Sequence, residues 1–373
     1  MNKTAVVTTT INMPVMLESY CKNASSYKHK NIEFFVIGDQ KTPAEAPKYC
    51  NKLTSEYSYP IHYLSLKDQE KELKDYPKLL KIFPYNCADR KLLGEVIAYL
   101  RNFDIMITVD DDNYATDHDF FGCHGIAGTE RELPLIESPS GWFNACHYLI
   151  EENNLPVFHR GLPWSKRNYK KDNFNIRHAK KKVVVNAGFW LGDPDIDAVS
   201  RLFWPIRVTG MKPDLGSTFG LFPGTWCTFN NQNTAMAREI LPAYLTPPNS
   251  KRYSDLFPAY VICKIAGHLN HIVAYGHPFA RHPRNPHNLW KDMEKEIVGA
   301  QAAEALIEIL RSAELTGKNY HDCLGELNEH FEKEKEMIKK LPEDQREMLL
   351  DLIKNYKIYH EVFDSIHEHL NCK

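Results

Sequence analysis

The segment FDIMITVDDDN, residues 103–113, ends an apolar run with three consecutive aspartates. The run 103–109 is predicted to be a buried β-strand. Adjacent carboxylates repel one another, which raises a pKa or lowers stability unless a cation neutralises them. Mg²⁺ and Mn²⁺ prefer oxygen ligands and commonly bridge carboxylates to the phosphates of a substrate. Asp110, Asp111 and Asp112 therefore fit a metal–diphosphate site, and they also fit a solvated acidic turn or helix cap.

The first 125 residues alternate between strand and helix patterns. Strands are predicted over 4–10, 32–39, 60–66 and 103–109, and a helix is predicted over 87–101. This alternation favours an α/β fold with a parallel, doubly wound sheet. Ligands of such sheets bind beyond the carboxyl ends of the strands, which is where the acidic triplet falls.

The rest of the chain divides into two regions that differ in composition. Residues 126–290 are rich in aromatic residues, Pro, Asn and Gly, which predicts a loop-dominated region with short strands that builds a pocket on a rigid scaffold. From about residue 291 the pattern is helical, and a helix is predicted to start at Pro342. The apolar residues at helical spacing in this tail are Tyr320, Leu324, Leu327, Phe331, Leu349, Leu352, Ile353, Tyr356 and Phe363.

Composition narrows the class of protein. The chain has 373 residues, 43% of them hydrophobic and 25% charged, with a formal net charge of −2. A nucleic-acid-binding domain usually carries a clustered basic excess, so no nucleic-acid partner is expected. No apolar stretch approaches the roughly 20 residues of a membrane span, and no secretory signal is recognised. Nine cysteines without CxxC pairs indicate reduced thiols in a cytoplasmic protein, not a disulfide framework or a zinc site.

Four segments together resemble one enzyme family. They are ITVDDDN (107–113), VFHRGLPWSKR (157–167), GFWLGDPDIDA (188–198) and HPFARHPRNPHNL (277–289). Their order and approximate spacing resemble those of glycosyltransferase family 75, the reversibly glycosylated polypeptides and UDP-arabinopyranose mutases. The resemblance extends from near the N-terminus to about residue 310, and it is weak over the first hundred residues.

The resemblance implies a fold, a donor and a metal. It implies a glycosyltransferase-A fold over residues 1–290, with a nucleotide-binding half (1–125) and a sugar/acceptor half (126–290). The helical residue pattern, not the resemblance, predicts the C-terminal helical extension (291–373). The resemblance also implies a UDP-linked sugar as donor and Mn²⁺ or Mg²⁺ as cofactor. The implied metal ligands are Asp110, Asp112 and His282.

The two arginines of the second segment are candidate catalytic residues. By the resemblance, Arg160 matches the arginine that becomes reversibly glycosylated, and Arg167 matches the second arginine of that motif. Guanidinium groups suit a departing diphosphate, but they are poor nucleophiles because arginine stays protonated. A covalent sugar on Arg160 would need help from a carboxylate. The alternative for each is a solvated surface arginine.

Three aspartates complete the candidate catalytic set. Asp195 and Asp197 in PDID fit binding of sugar hydroxyls or a general base, and they equally fit turn chemistry after Pro194. The family has a pair of adjacent acidic residues, of which this chain keeps the second as Asp255 and has Ser254 in place of the first. This departure, and Ala237 in place of a family aspartate, are expected to alter the sugar or acceptor pocket.

Nucleotide contacts are expected at strand ends and on the helix before the acidic strand. The alternative for any one of these residues is ordinary loop polarity. The candidates are Thr8, Thr9, Thr10, Asp39, Asp68, Arg90, Gly94, Asp110 and Asp111.

The favoured function is a metal-dependent glycosyltransferase that cleaves a nucleotide sugar at its anomeric carbon and transfers the sugar to an unknown acceptor. One alternative is a pyranose–furanose mutase with reversible self-glycosylation on Arg160. A second alternative is a non-catalytic protein that binds nucleotide sugars. The apolar faces of the tail are expected to pack on the catalytic domain or on a second copy of the chain.

Overall fold

Four parallel strands begin the chain's central sheet. The computed structural model describes residues 2–167 and 173–371. In it, β1 (Thr4–Thr10) lies between β2 (Ile32–Gly38) and β4 (Ile105–Val109), and β3 (Ile61–Leu64) lies beyond β2. All three pairings are parallel, so the carboxyl ends of these strands share one edge.

The other strands extend this sheet, and helices cover it. The remaining strands are β5 (Tyr114–Ala115), β6 (Glu130–Glu137), β7 (Leu149–Glu151), β8 (Asn175–Gly192), β9 (Val208–Met211), β10 (Thr218–Leu221), β11 (Asn233–Ala237) and β12 (Ile272–His282). The helices are α1 (Leu17–Ser26), α2 (Ala46–Tyr57), α3 (Leu66–Glu72), α4 (Pro77–Ile82), α5 (Lys91–Leu100), α6 (Phe120–His124), α7 (Ala198–Phe203), α8 (Phe257–His268), α9 (Leu289–Ser312), α10 (Tyr320–Lys333), α11 (Lys335–Ile338) and α12 (Glu343–Asn371). The main strand order is β3-β2-β1-β4-β11-β8-β6-β10-β12-β5.

The long strand β8 corrects the expectation of short strands in a loop-dominated middle region. It has 18 residues, and it pairs with β6 and β11 in antiparallel and with β12 in parallel orientation. Its first half, NIRHAKKK, is mainly exposed, and its second half, VVVNAGFW, is buried. The charged half hides the strand pattern because it has no apolar face, whereas the second half is apolar on both faces.

Helix α5 packs directly on the parallel strands. A Cβ atom at Gly94 would lie 2.6 Å from Cγ1 of Val7 and 2.7 Å from Cδ1 of Ile37. Glycine is therefore required for the close approach of α5 to β1 and β2. The prediction of Gly94 as a nucleotide contact is corrected by this placement, since its backbone faces the core.

The C-terminal helices pack against the sheet domain, which confirms the predicted α/β fold with a helical C-terminal extension. The tail residues predicted to be apolar contacts are buried. On α12, the Tyr359 hydroxyl donates to the carbonyl oxygen of Leu241 at 2.9 Å, and His367 Nε2 lies 3.1 Å from the Tyr99 hydroxyl. Among the described residues, no helix is both long and apolar enough to cross a membrane. The eight cysteines in these ranges are free thiols.

Glu95 on α5 gives a prediction about stability and pH. Its carboxylate is fully buried, and both oxygens lack a hydrogen-bond partner within residues 2–167 and 173–371. Burial raises its pKa from 4.5 to about 8. The folded state therefore keeps a proton that the unfolded state releases between these two values, so this group destabilises the fold increasingly as pH rises from 4.5 to 8.

Glu95→Gln should remove that penalty. We expect the variant to exceed wild type in free energy of unfolding by a few kcal/mol at pH 8.5, at about 1.4 kcal/mol per unit of pKa shift. The difference should shrink towards pH 5. Urea denaturation at both pH values measures it, with the exposed Glu56→Gln as the matched control. A difference that is the same at both pH values would contradict this account of Glu95.

Candidate functional site

The acidic triplet lies where the sequence places it, directly after β4 at the shared edge of the parallel strands. Asp111 accepts hydrogen bonds from the Thr10 hydroxyl at 2.5 Å and from the side-chain amide of Asn12 at 3.1 Å. Thr10 ends the neighbouring strand β1, so the parallel pairing of β1 with β4 brings these groups together. Asp111 is thus held by two neutral hydrogen-bond donors.

Asp110 is neutralised by a lysine from within the fold. Lys91 opens α5, its side chain is 2% exposed, and its ammonium donates to Asp110 Oδ1. The same ammonium donates to the carbonyl oxygen of Asn231 at 2.9 Å. An ammonium has three donors and no acceptor, so these two contacts use most of its capacity. Lys91 was missed by sequence reasoning, because nothing in its helical pattern shows that it points at Asp110.

Asp112 and His282, two of the three metal ligands that the resemblance implies, face each other. His282 Nε2 is 3.4 Å from Asp112 Oδ2, and the backbone N–H of Asn285 donates to the same oxygen at 3.2 Å. The carbonyl oxygen of Asp193 lies 2.7 Å from Nδ1 of His282, which fixes the Nδ1–H tautomer and leaves the Nε2 lone pair towards Asp112 in the neutral ring. Burial opposes the charge of His282, but the Asp112 carboxylate outweighs it and raises the pKa of His282.

A pocket of about 410 Å³ opens at this edge. Its volume is within the usual range for small-molecule sites. It is lined by the acidic triplet, by the ends of β1 and β2 and by two later loops: Thr9, Thr10, Ile11, Asn12, Asp39, Asn86, Cys87, Ala88, Asp110, Asp111, Asp112, Asn285 and His287. The predicted nucleotide contacts Thr9, Thr10, Asp39, Asp110 and Asp111 are thus brought together in one pocket.

Three other predicted nucleotide contacts lie outside the pocket lining and have structural roles. Thr8 is fully buried within β1. Asp68 forms the capping box of α3 with Ser65. Arg90 is buried and donates to the carbonyl oxygen of Phe83 at 3.1 Å. Polar residues near strand ends are used here for capping and for internal hydrogen bonds, which a linear pattern does not distinguish from ligand binding.

Arg160 is the centre of a second polar cluster. Its Nε donates to Asp195 at 2.9 and 3.0 Å, and its two terminal nitrogens donate to Asp255 at 3.0 and 2.7 Å. One of them also donates to the carbonyl oxygen of Arg252. Only 7% of Arg160 is exposed. Burial opposes the charges, yet Asp195 and Asp255 raise the pKa of Arg160, and Arg160 lowers the pKa of Asp195.

Arg167 forms a separate ion pair. Its guanidinium donates to Asp197 Oδ2 at 2.5 Å and lies over the ring of Trp164, 4.3 Å from the centroid. The other oxygen of Asp197 accepts from the backbone N–H of Ser200 at 2.8 Å and caps α7. Asp197 therefore caps a helix and forms an ion pair, and this capping role was not among the roles expected from the sequence.

Hydrogen bonds connect the Arg160 cluster to the acidic triplet. The amide of Asn230 donates to Asp195 at 2.6 Å, and the side-chain oxygen of Asn230 accepts from the backbone N–H of Gln232 at 3.0 Å. The amide nitrogen of Gln232 lies 3.2 Å from His282 Nε2. The path therefore runs from Arg160 to His282 through a loop whose amide residues were not singled out from the sequence.

Asp89 is a second connection between the two clusters, and sequence reasoning missed it. It directly follows the pocket residues Cys87 and Ala88, and its side chain hydrogen-bonds with Ser254, the neighbour of Asp255. Only 6% of Asp89 is exposed, and burial raises its pKa to about 6. A carboxyl group with this pKa can exchange a proton near neutral pH.

Helix α9, predicted as the start of the tail, supports the site. Buried Glu296 accepts from Arg252 at 2.6 Å and from the backbone N–H of Ala198 at 2.7 Å. Buried Asp292 accepts from Arg284 at 3.1 Å and lies 3.0 Å from Nδ1 of the pocket residue His287. Helix α9 is therefore bonded to residues of the Arg160 cluster and of the pocket. The predicted boundary at residue 291 instead assigns this helix to the C-terminal extension.

Comparison with known proteins gives only distant similarity. The sequence matches no protein-family model and no curated protein. The chain is similar to the structure of glucosyl-3-phosphoglycerate synthase from Mycobacterium tuberculosis in complex with phosphoglyceric acid, with 12% identity, 85% of this chain and 82% of that chain covered, and a TM-score of 0.38.

Two further solved structures are similar to this chain at comparably low sequence identity. The mannosyltransferase PcManGT from Pyrobaculum calidifontis, in complex with GDP-Man and Mn²⁺, has 10% identity and a TM-score of 0.38 over 98% of this chain and 85% of that chain. TarS from S. aureus has 12% identity and a TM-score of 0.36 over 97% and 55%. None points to family 75 or to a mutase, so both stay predictions, and the site is interpreted below from its own residues.

The Lys91–Asp110 pair gives a testable prediction. Lys91→Met should leave a carboxylate without its counter-ion beside two others, and we expect a loss of about 1–3 kcal/mol in free energy of unfolding. Because Mn²⁺ can supply the missing positive charge, it should raise the melting temperature of the variant more than that of wild type. Thermal unfolding with and without Mn²⁺ measures this, with the exposed Lys81→Met as control. Equal Mn²⁺ effects on variant and wild type would contradict it.

Proposed function

We propose that this protein is a metal-dependent glycosyltransferase that uses a nucleoside-diphosphate sugar. The observation that supports this most strongly is the pocket at the carboxyl ends of the parallel strands, which three carboxylates line and where Asp112 faces His282 behind the lining. Pockets at this edge of an α/β sheet commonly hold nucleotides. Uridine is the base that the resemblance to family 75 implies.

The residues present fit a divalent cation. Asp112 and His282 present an oxygen and an imidazole nitrogen to each other, and the tautomer of His282 gives Nε2 a lone pair that a metal could bind in place of the Gln232 amide. We propose these two as the metal ligands, with Asp110 held beside them by Lys91. When bound, Mn²⁺ or Mg²⁺ would neutralise the diphosphate and stabilise it as a leaving group.

The Arg160 cluster lies on the other side of the hydrogen-bonded path and is proposed to bind the sugar. Arg160 fixes the carboxylates of Asp195 and Asp255 through its Nε and terminal nitrogens. Carboxylate oxygens held in this way keep lone pairs that can accept hydrogen bonds from sugar hydroxyls. Arg160 would thus position the two carboxylates.

In the proposed reaction, the bond between the anomeric carbon and the diphosphate oxygen breaks, and an acceptor hydroxyl oxygen bonds to that carbon. The hydroxyl proton must pass to a base. Asp89, whose pKa is raised to about 6, is the proposed base, because it lies between the pocket and the Arg160 cluster. Such a base contributes a factor of about 10²–10⁴ to the rate.

The ion pairs and the protonated form of Arg160 favour transfer to a separate acceptor over self-glycosylation. Its terminal nitrogens are engaged with Asp255 and with the backbone of Arg252, and both carboxylates stabilise its protonated form. A protonated guanidinium has no lone pair with which to attack an anomeric carbon. A glycosylated Arg160 would require these ion pairs to open first, so the mutase stays the alternative.

A turnover assay tests the proposed function. Wild-type protein with Mn²⁺ should release nucleoside diphosphate from at least one member of a panel of UDP- and GDP-sugars supplied with candidate acceptors, and a chelator should abolish the release. Asp112→Asn replaces a carboxylate ligand with a neutral amide and should lower the rate about 100-fold, equivalent to about 3 kcal/mol. Release that is unchanged by the chelator would sink the metal-dependent mechanism.

Intact-mass measurement separates transferase from self-glycosylating mutase. If Arg160 only positions carboxylates, wild type incubated with donor and Mn²⁺ should keep its mass, and Arg160→Lys should retain a fraction of turnover. If Arg160 carries the sugar, wild type should gain the mass of one sugar, and the variant should not, because lysine lacks the bidentate fork. The exposed Arg177→Lys is the control. A sugar adduct that needs Arg160 would overturn the positioning role.

A further inference from the structure

A group of histidines and an aspartate joins α10 to α12, away from the acidic triplet. We call His321, His360 and Asp364 the tail cluster; one ligand atom from each lies within 4.8 Å of the others. His321 Nε2 is 3.2 Å from Asp364 Oδ1, and His360 Nδ1 is 3.6 Å from Asp364 Oδ2. Asp364 follows His360 by one helical turn, so α12 contributes two of the three groups.

His321 has a buried nitrogen that lacks a hydrogen bond. Its Nε2 atom makes none with any residue in the described ranges, although Asp364 Oδ1 is only 3.2 Å away. The two atoms are therefore close but not aligned as donor and acceptor. Buried polar atoms in folded proteins are nearly always paired, and an unpaired one points to a water molecule or an ion. The side chain of His321 is 14% exposed, which leaves a narrow approach from solvent.

We propose that the tail cluster binds a divalent transition-metal ion such as Zn²⁺ through His321, His360 and Asp364. Tetrahedral zinc with bonds of about 2.0–2.2 Å places its ligand atoms about 3.3 Å apart. The observed separations of 3.2 and 3.6 Å to the two aspartate oxygens are close to this value. The imidazole rings stack at 9° with centroids 4.2 Å apart, so binding requires them to tilt until both lone pairs meet the ion.

The surroundings of His321 suit metal binding. Burial lowers the pKa of His321, as do the neighbouring His360 and His367, and burial also lowers the pKa of His367. A neutral imidazole at neutral pH has the lone pair that a metal ligand needs. The ring of His367 lies 4.8 Å from that of His321 between centroids, and its Nε2 is 3.1 Å from the Tyr99 hydroxyl.

The two metal sites differ in chemistry, and this inference does not rest on the proposed function. The acidic triplet offers mainly carboxylate oxygens, which suit Mn²⁺ or Mg²⁺. The tail cluster offers two imidazoles and one carboxylate, which suit Zn²⁺. A metal here would fasten α10 to α12, and α12 in turn contacts Tyr99 on α5, the helix that begins with Lys91. The expected role of the ion is to stabilise the tail.

Cobalt substitution in the full-length chain tests the site. After chelator treatment and its removal, one equivalent of Co²⁺ should give the intense visible absorption of a four-coordinate ion, and Zn²⁺ should displace it. His360→Gln and Asp364→Asn should each lose that absorption. His369→Gln, a histidine of the same helix outside the tail cluster, should keep it. Asp112→Asn should also keep it, which separates this site from the proposed catalytic metal.

Thermal unfolding gives a second readout. Zn²⁺ at 100-fold excess over its Kd should raise the melting temperature of wild type by roughly 3 °C, and it should not raise that of His360→Gln. The proposal is overturned if wild type gives only the weak spectrum of six-coordinate Co²⁺, or if the intense absorption persists in both cluster variants. It is also overturned if Asp112→Asn removes that absorption.

Discussion

The mutual repulsion of three adjacent carboxylates after β4 is the constraint on which the site depends. Each carboxylate is stabilised by a different part of the chain: Asp110 by Lys91 of α5, Asp111 by Thr10 and Asn12 after β1, and Asp112 by His282 at the end of β12. Like charges so close together disfavour ionisation unless opposite charges or hydrogen bonds compensate. These three elements therefore bring positive charge and hydrogen bonds to the acidic edge of the sheet.

The position of the triplet could be predicted from sequence, because it depends on local patterns. An apolar strand of the right length ends at Val109, and its parallel neighbour β1 has the same kind of pattern. The partner of Asp110 could not be predicted in this way. Lys91 reaches Asp110 from α5, which packs closely on the strands at Gly94, and this packing is a property of the tertiary structure.

The partners of Arg160 and Arg167 also could not be predicted from local sequence patterns. The sequence places Arg160 and Arg167 seven residues apart in one loop and suggests a shared role at a diphosphate. The structure gives them separate partners, since Arg160 binds Asp195 and Asp255 whereas Arg167 binds Asp197. Asp255 is 95 residues from Arg160 in the chain, so no local pattern could reveal this pairing. The polar first half of β8 likewise shows no local strand pattern, because its pairing with β6 is also long-range.

The central claim is that Asp112 and His282 hold a metal beside a nucleotide diphosphate. Crystals grown with Mn²⁺ and UDP test it most directly, through anomalous scattering measured at the manganese edge. The account predicts one anomalous peak within bonding distance of Asp112 and His282 Nε2, with diphosphate density next to it in the pocket that Thr9, Thr10 and Asp39 line. Diphosphate density in that pocket without a manganese peak, or UDP bound elsewhere on the protein, would contradict the account.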